Sequence, residues 1–142
     1  MSDEPRPTSA GIGRVLIAVY GILALAAIGR SVYQIATKFD EAPVAYSLSA
    51  LAAAVYVLAT VALVARGAVW FRVAVVAIAF ELAGVLIVGT LSIIDPALFP
   101  DDTVWSQFGR GYAFIPLALP VLGLLWLRRV ARARRTAQQV TA

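Results

Sequence analysis

The chain has 142 residues, 61% of them hydrophobic and 14% charged, with a formal net charge of +4. A soluble domain is nearer half apolar and a quarter charged, so a water-facing core of this length cannot hide so much apolar surface, whereas a bilayer can. Cysteine and histidine are absent and the single methionine is Met1. This excludes disulfides, thiolate nucleophiles, histidine general bases, and haem or zinc held through histidine.

Residues 1–13 are polar, with Pro5, Pro7, Gly11 and Gly13, and predict a loose cytoplasmic tail. The first apolar run, Val15 to Ala36, is interrupted only by Arg30. As a helix its ~22 residues span ~33 Å, enough to cross the hydrocarbon core. A secretory signal peptide is the rival, since Ala24-Leu25-Ala26 fits a cleavage pattern. Asp3 and Glu4 leave that leader without net positive charge, and the apolar pattern continues past the cut.

Residues 37–43 form a polar hairpin, with Pro43 suited to the first turn of the next helix. The second run is Val44 to Ala65 and the third is Ala68 to Ile94. The short link between them makes these helices antiparallel neighbours. Small residues recur on the second run: Ala45, Ser49 and Ala53 on one face, Ala50 and Ala54 on another, and such residues let backbones approach closely. The connection over residues 95–110 starts at Asp95-Pro96, which fits an N-cap followed by proline at N1. Phe99, Trp105 and Phe108 predict a loop lying along the membrane interface. A fourth, short run from Tyr112 to Leu127 contains Pro116 and Pro120 and should be bent. Its helix could start as early as Thr103, capped by Asp101 or Asp102.

The expected fold is therefore an all-α membrane four-helix bundle, up-down-up-down. Its spans fall at about 14–36, 44–65, 69–94 and 111–128, with outer loops at 37–43 and 95–110 and a basic tail at 129–142. Nine of the twelve basic residues lie before Val15, between Arg66 and Arg72, or after Leu127. Cytoplasmic loops retain Lys and Arg, so nine against three predicts a multi-pass cell-membrane protein with both termini inside. The tyrosines, with Trp70, Trp105 and Trp126, then mostly fall near span ends, as interfacial belt residues do.

Glu81 is the one carboxylate inside a span, ~13 Å from the inner end of the third helix. A group there usually faces protein or a water cavity, as a proton or cation site or as a hydrogen-bonding link between helices. Arg30 is its nearest candidate partner, ~10 Å higher if both helices stand upright. It could equally snorkel to the interface or pair with Asp40, Glu41 or Asp95. In the tail, Arg128, Arg129, Arg132, Arg134 and Arg135 should attract anionic phospholipid, at ~1 kcal/mol each near the surface, besides anchoring topology. No aromatic interleaving or reader module accompanies them, so nucleic acid is not an expected partner. The outer carboxylates lack Ca²⁺-loop spacing, and no metal site is expected. Gly-rich phosphate loops, G-x-S-x-G and carboxylate pairs at catalytic spacing are missing, so neither catalysis nor a cofactor is expected.

At Lys38–Ala50 (KFDEAPVAYSLSA) and Asp95–Trp105 (DPALFPDDTVW) the chain resembles small four-span membrane proteins of high-GC actinobacteria. That resemblance covers roughly residues 14–128 and implies that the outer loops are the distinctive parts. It brings no activity with it. The functional expectation is an accessory or scaffold subunit of a larger membrane assembly, or a homo-oligomer, with Asp95, Phe99, Asp101, Asp102 and Trp105 turned toward the partner. The alternative is a small oligomeric transporter or proton-linked carrier that uses Glu81.

Overall fold

The computed structural model describes residues 7–141, and side chains from 11 to 140. Asp3, Glu4 and Arg6, which entered the leader and topology arguments, lie outside the described residues. Among those described there is helix and no strand. Three helices are long and apolar enough to cross a membrane: α1 (Pro7–Lys38), α2 (Pro43–Val64) and α3 (Ala68–Ile94). A fourth crossing requires counting the short turns of residues 106–112 together with α4 (Ile115–Thr141), from which they are bent by 99°.

Local chemistry explains most boundaries. Helix α1 starts earlier than the expected tail allows, because proline is at home in a first turn and residues 8–13 contain no later breaker stronger than glycine. Lys38 closes it, where a cation meets the negative end of the helix dipole. A 3-10 turn at Phe39–Glu41 leads to Pro43, whose fixed φ opens α2. Between α2 and α3 the backbone passes through Gly67 at φ +115, a conformation that side-chain-bearing residues rarely adopt. Past the expected end of the last span, α4 continues as helix to Thr141, so the basic tail is helical over residues 129–141.

The fourth helix does not start at Thr103. Asp101 spends its carboxylate on Tyr46 and on the backbone N–H of Asp102, and Thr103 N–H is taken by Ser106 Oγ. The chain then turns through Gln107, Phe108, Gly109, Ala113 and Phe114, all at positive φ, before Pro116 enters the first turn of α4. Asp95 precedes a 3-10 turn, Pro96–Leu98, without capping it through its side chain.

Helix α1 packs on α2, α2 on α3, and α3 on α4, while α1 meets α4 where Gly13 receives the Trp126 ring. The core is built from small residues and tyrosines: Ala45, Ser49, Ala53, Tyr56 and Ala59 of α2 are buried, as are Ala74, Ala77 and Ile78 of α3. Large apolar side chains such as Ile22, Leu25, Val76 and Ile94 point outward. That inversion is stable in lipid, where close backbone packing replaces a hydrophobic core.

Segment 99–109 is not a surface flap. Phe99, Val104 and Trp105 are buried, and the Trp105 ring sits against α3 at Gly84, with Phe108 against Gly89. A Cβ on Gly84 would lie 2.5 Å from the Trp105 ring. Gly84→Ala should therefore cost ~1–3 kcal/mol as overpacking. Gly29→Ala, which meets open space, should be neutral or slightly stabilising. Melting of both variants in detergent checks the difference.

Candidate functional site: a buried carboxylate in an aromatic network

Four elements converge on Glu81. It faces inward from the middle of α3 and is 0% exposed. From α1, Tyr20 donates its hydroxyl to Glu81 Oε2 at 2.7 Å. From α2, Tyr56 packs its ring on Tyr20 with centroids 6.3 Å apart. From the loop, Trp105 Nε1–H donates to the Tyr56 hydroxyl at 2.9 Å. Gly123 of α4 closes the far side, with a Cβ there only 3.7 Å from the Tyr20 hydroxyl. Glu81 Oε1 is buried and has no hydrogen-bond partner.

The loop above this network is held by a second set of polar contacts. Ser49 of α2 accepts from Val104 N–H at 3.4 Å, and Ser92 of α3 accepts from Gln107 N–H at 2.8 Å. Tyr46 donates to Asp101 Oδ2 at 2.8 Å, and Lys38 pairs with the same oxygen at 3.5 Å. Donation by the Tyr46 hydroxyl holds the Asp101 carboxyl below its ordinary range. Arg30 reaches up to the backbone carbonyl of Asp102 at 2.6 Å.

Several expectations change accordingly. Glu81 is hydrogen-bonded to Tyr20 and not to Arg30, while Arg30 binds neither Asp40, Glu41 nor Asp95 but a loop carbonyl. The two residues do not form one site. Phe99 and Trp105, expected to face a partner, are turned inward, Trp105 being only 2% exposed. Asp95 and Asp102 remain on the surface and Asp101 is half-buried. Tyr20, Tyr46 and Tyr56 are core residues and not belt residues, whereas Tyr33 is exposed. The tail arginines lie exposed along α4, with Arg134 5.3 Å from the centre of the Phe71 ring. Among the described residues, no group of three or more acidic side chains assembles a metal site.

Sequence reasoning missed Tyr20, Tyr56, Gly84 and Ser92. Tyr20 passed for an interfacial residue because the first span was taken to begin at 14. Tyr56 stands at the centre of its span, and that position was a usable signal. Gly84 lies three residues beyond Glu81, nearly one turn on, where an absent side chain marks a close approach.

None of Glu81, Tyr20 and Tyr56 lines the grooves between α2 and α3, between α1 and α2, between α1 and α4, or at the start of α2. No protein-family model matches the chain, and no curated protein or solved structure matches it either.

Tyr20→Phe leaves both Glu81 oxygens unpartnered and should cost ~1–3 kcal/mol. In a Glu81→Leu background the same change should cost much less, whereas the losses from Arg30→Ala and Glu81→Gln should add. Detergent melting of the single and double variants measures both. Asp101 tests the sign of the pH dependence. A carboxyl held low in the folded state contributes stability above its unfolded value of ~3.9, and that contribution is lost as pH falls through the lower folded value. Asp101→Asn should show no such acid-dependent loss when loop order is followed by tryptophan fluorescence.

Proposed function

We propose that the chain is a four-span protein of the cell membrane, up-down-up-down with both termini cytoplasmic, of the kind the resemblance to small actinobacterial membrane proteins suggests. In this reading the bent pair forms the fourth span, and the protein acts as an accessory or scaffold subunit that binds a partner sideways through the bilayer. Topology is supported by charge: all the described basic residues but Arg30, Lys38 and Arg110 gather at one end, and Asp40, Glu41, Asp95, Asp101 and Asp102 at the other.

The observation that carries the scaffold role is a groove of about 880 Å³ between α1 and α2. Its floor includes Ala50, Ala53 and Ala54, which keep the α2 backbone low. Ser31 of α1 lines it, is 4% exposed, and has a hydroxyl without a hydrogen-bond partner. Small residues beside an unmatched hydroxyl suit a partner's transmembrane helix that comes close and supplies the missing hydrogen bond. The partner surface thus moves from the outer loop, whose aromatics are spent internally, to this lateral face.

The chain has no cysteine, so single-cysteine cross-linking has no background. Ser31→Cys and Ala54→Cys should cross-link to one stoichiometric partner in native membranes, and Ile94→Cys on an exposed position elsewhere should not. Absence of any adduct at both groove positions, together with purification as a clean monomer in mild detergent, would refute the scaffold role.

A second reading is favoured by the unpartnered Glu81 Oε1: a proton-linked carrier in which this carboxyl takes up a proton or cation. It predicts that Glu81→Gln abolishes flux in proteoliposomes while the protein stays folded. It also needs a water path to Glu81, which is 0% exposed.

A further inference from the structure

At the basic end, two grooves repeat the same design. The first lies between α2 and α3, measures about 560 Å³, and is lined by Val55, Leu58, Val69, Val73 and Phe80 with Arg72 among them. The second lies between α1 and α4, measures about 570 Å³, and is lined by Ile12, Val15, Leu122, Leu125 and Trp126 with Arg129 among them. Both volumes fall within the roughly 300–1,000 Å³ of small-ligand pockets. Each is a trough of aliphatic and aromatic side chains carrying a single charge, and in both cases the charge is an exposed guanidinium.

The surroundings say what sign of ligand these troughs accept. Every described arginine except Arg30 and Arg110 belongs to this end, and no described acidic residue does. Among the described residues, neither Arg72 nor Arg129 has an ion pair or hydrogen bond, and the one salt bridge, Lys38–Asp101, is at the opposite end. The fork of an arginine side chain matches a phosphate in shape and charge. An apolar trough beside it matches a hydrocarbon chain. Basic recesses between transmembrane helices are the expected seats of acidic lipid headgroups.

We propose that these two grooves are binding sites for anionic phospholipid, each taking an acyl chain along its trough and a phosphate on Arg72 or Arg129. This is a different claim from general attraction of the α4 arginines to a charged surface, because it requires an apolar slot and a named cation in each of two places. It rests on the membrane reading above and is independent of the scaffold role.

The test is native mass spectrometry of the full chain from detergent micelles containing equal phosphatidylglycerol and phosphatidylcholine. Membrane sedimentation of the same preparation is scored separately, so failure of the membrane reading shows there and not in the lipid count. The expected result is two phosphatidylglycerol molecules retained per chain in preference to phosphatidylcholine. Arg72→Ala and Arg129→Ala should each remove one, and Arg110→Ala at the far end should remove none. Val76→Trp, which fills the first trough without touching its cation, should also remove one. Melting of each variant confirms that it is folded. Equal retention of the two lipids, full retention by both arginine variants, or displacement by glycerol phosphate without acyl chains would each overturn the proposal.

Discussion

A polar group at the depth of Glu81 has to find its hydrogen bonds within the protein, because the bilayer interior offers none. The first requirement is met by Tyr20 across the α1–α3 contact. Tyr20 is in turn fixed by its packing on Tyr56, and Tyr56 by the indole of Trp105. The position of the 99–109 loop therefore depends on a carboxyl in the third helix, through two tyrosines from the first and second. This accounts for the glycine at position 84. The loop can deliver an indole to that depth only if α3 presents bare backbone there. It also accounts for the backbone strain downstream, since residues 107–114 must bring the chain from a buried tryptophan back to the start of α4 within a few residues.

The sequence made the helices legible because hydropathy and proline placement act locally. Val44–Ala65 and Ala68–Ile94 stand within a few residues of α2 and α3. Glu81 was legible as unusual for the same reason: a charge in an apolar run is visible in one dimension. Its partner was not, because Tyr20 and Glu81 are 61 positions apart and tyrosine is common both in cores and at interfaces. Hydropathy also misjudged the 95–111 connection. Aromatic residues between charged ones look the same whether they lie flat on a membrane or point into a bundle. Only the glycines opposite them, Gly84 and Gly89, distinguish the two cases.

The ends of the bundle are chemically opposite, and the asymmetry has structural consequences. At the acidic end, charges are used internally: Asp101 ties Lys38 and Tyr46 together, and Arg30 holds a loop carbonyl. Among the described residues, the arginines of the basic end form no ion pair with a carboxylate, and Arg134 lies over the Phe71 ring. Cations concentrated beside a membrane surface without counter-charges from the protein draw them from the lipid. Among the described residues, the charges of Asp101, Lys38 and Arg30 at the acidic end are thus matched within the fold, and the cations of the basic end are not paired with a carboxylate.

Among the described residues, three buried oxygens are left without partners: Ser31 Oγ, Gln34 Oε1 and Glu81 Oε1. Each unmatched buried group costs about 1–3 kcal/mol, which a bundle of alanines and valines cannot easily offset. Their locations differ in meaning. Glu81 is 0% exposed, with its second oxygen held by Tyr20. Ser31 lines a groove that is open toward lipid, and lipid chains have no group to offer it. Thr37, Thr60 and Thr90 bond back to the carbonyl one turn earlier, whereas the Ser31 hydroxyl has no such partner and is free to take one from a chain lying in the same groove. The lateral face of α1 and α2 thus combines an open apolar groove with an unmatched hydroxyl, which the buried carboxyl site does not.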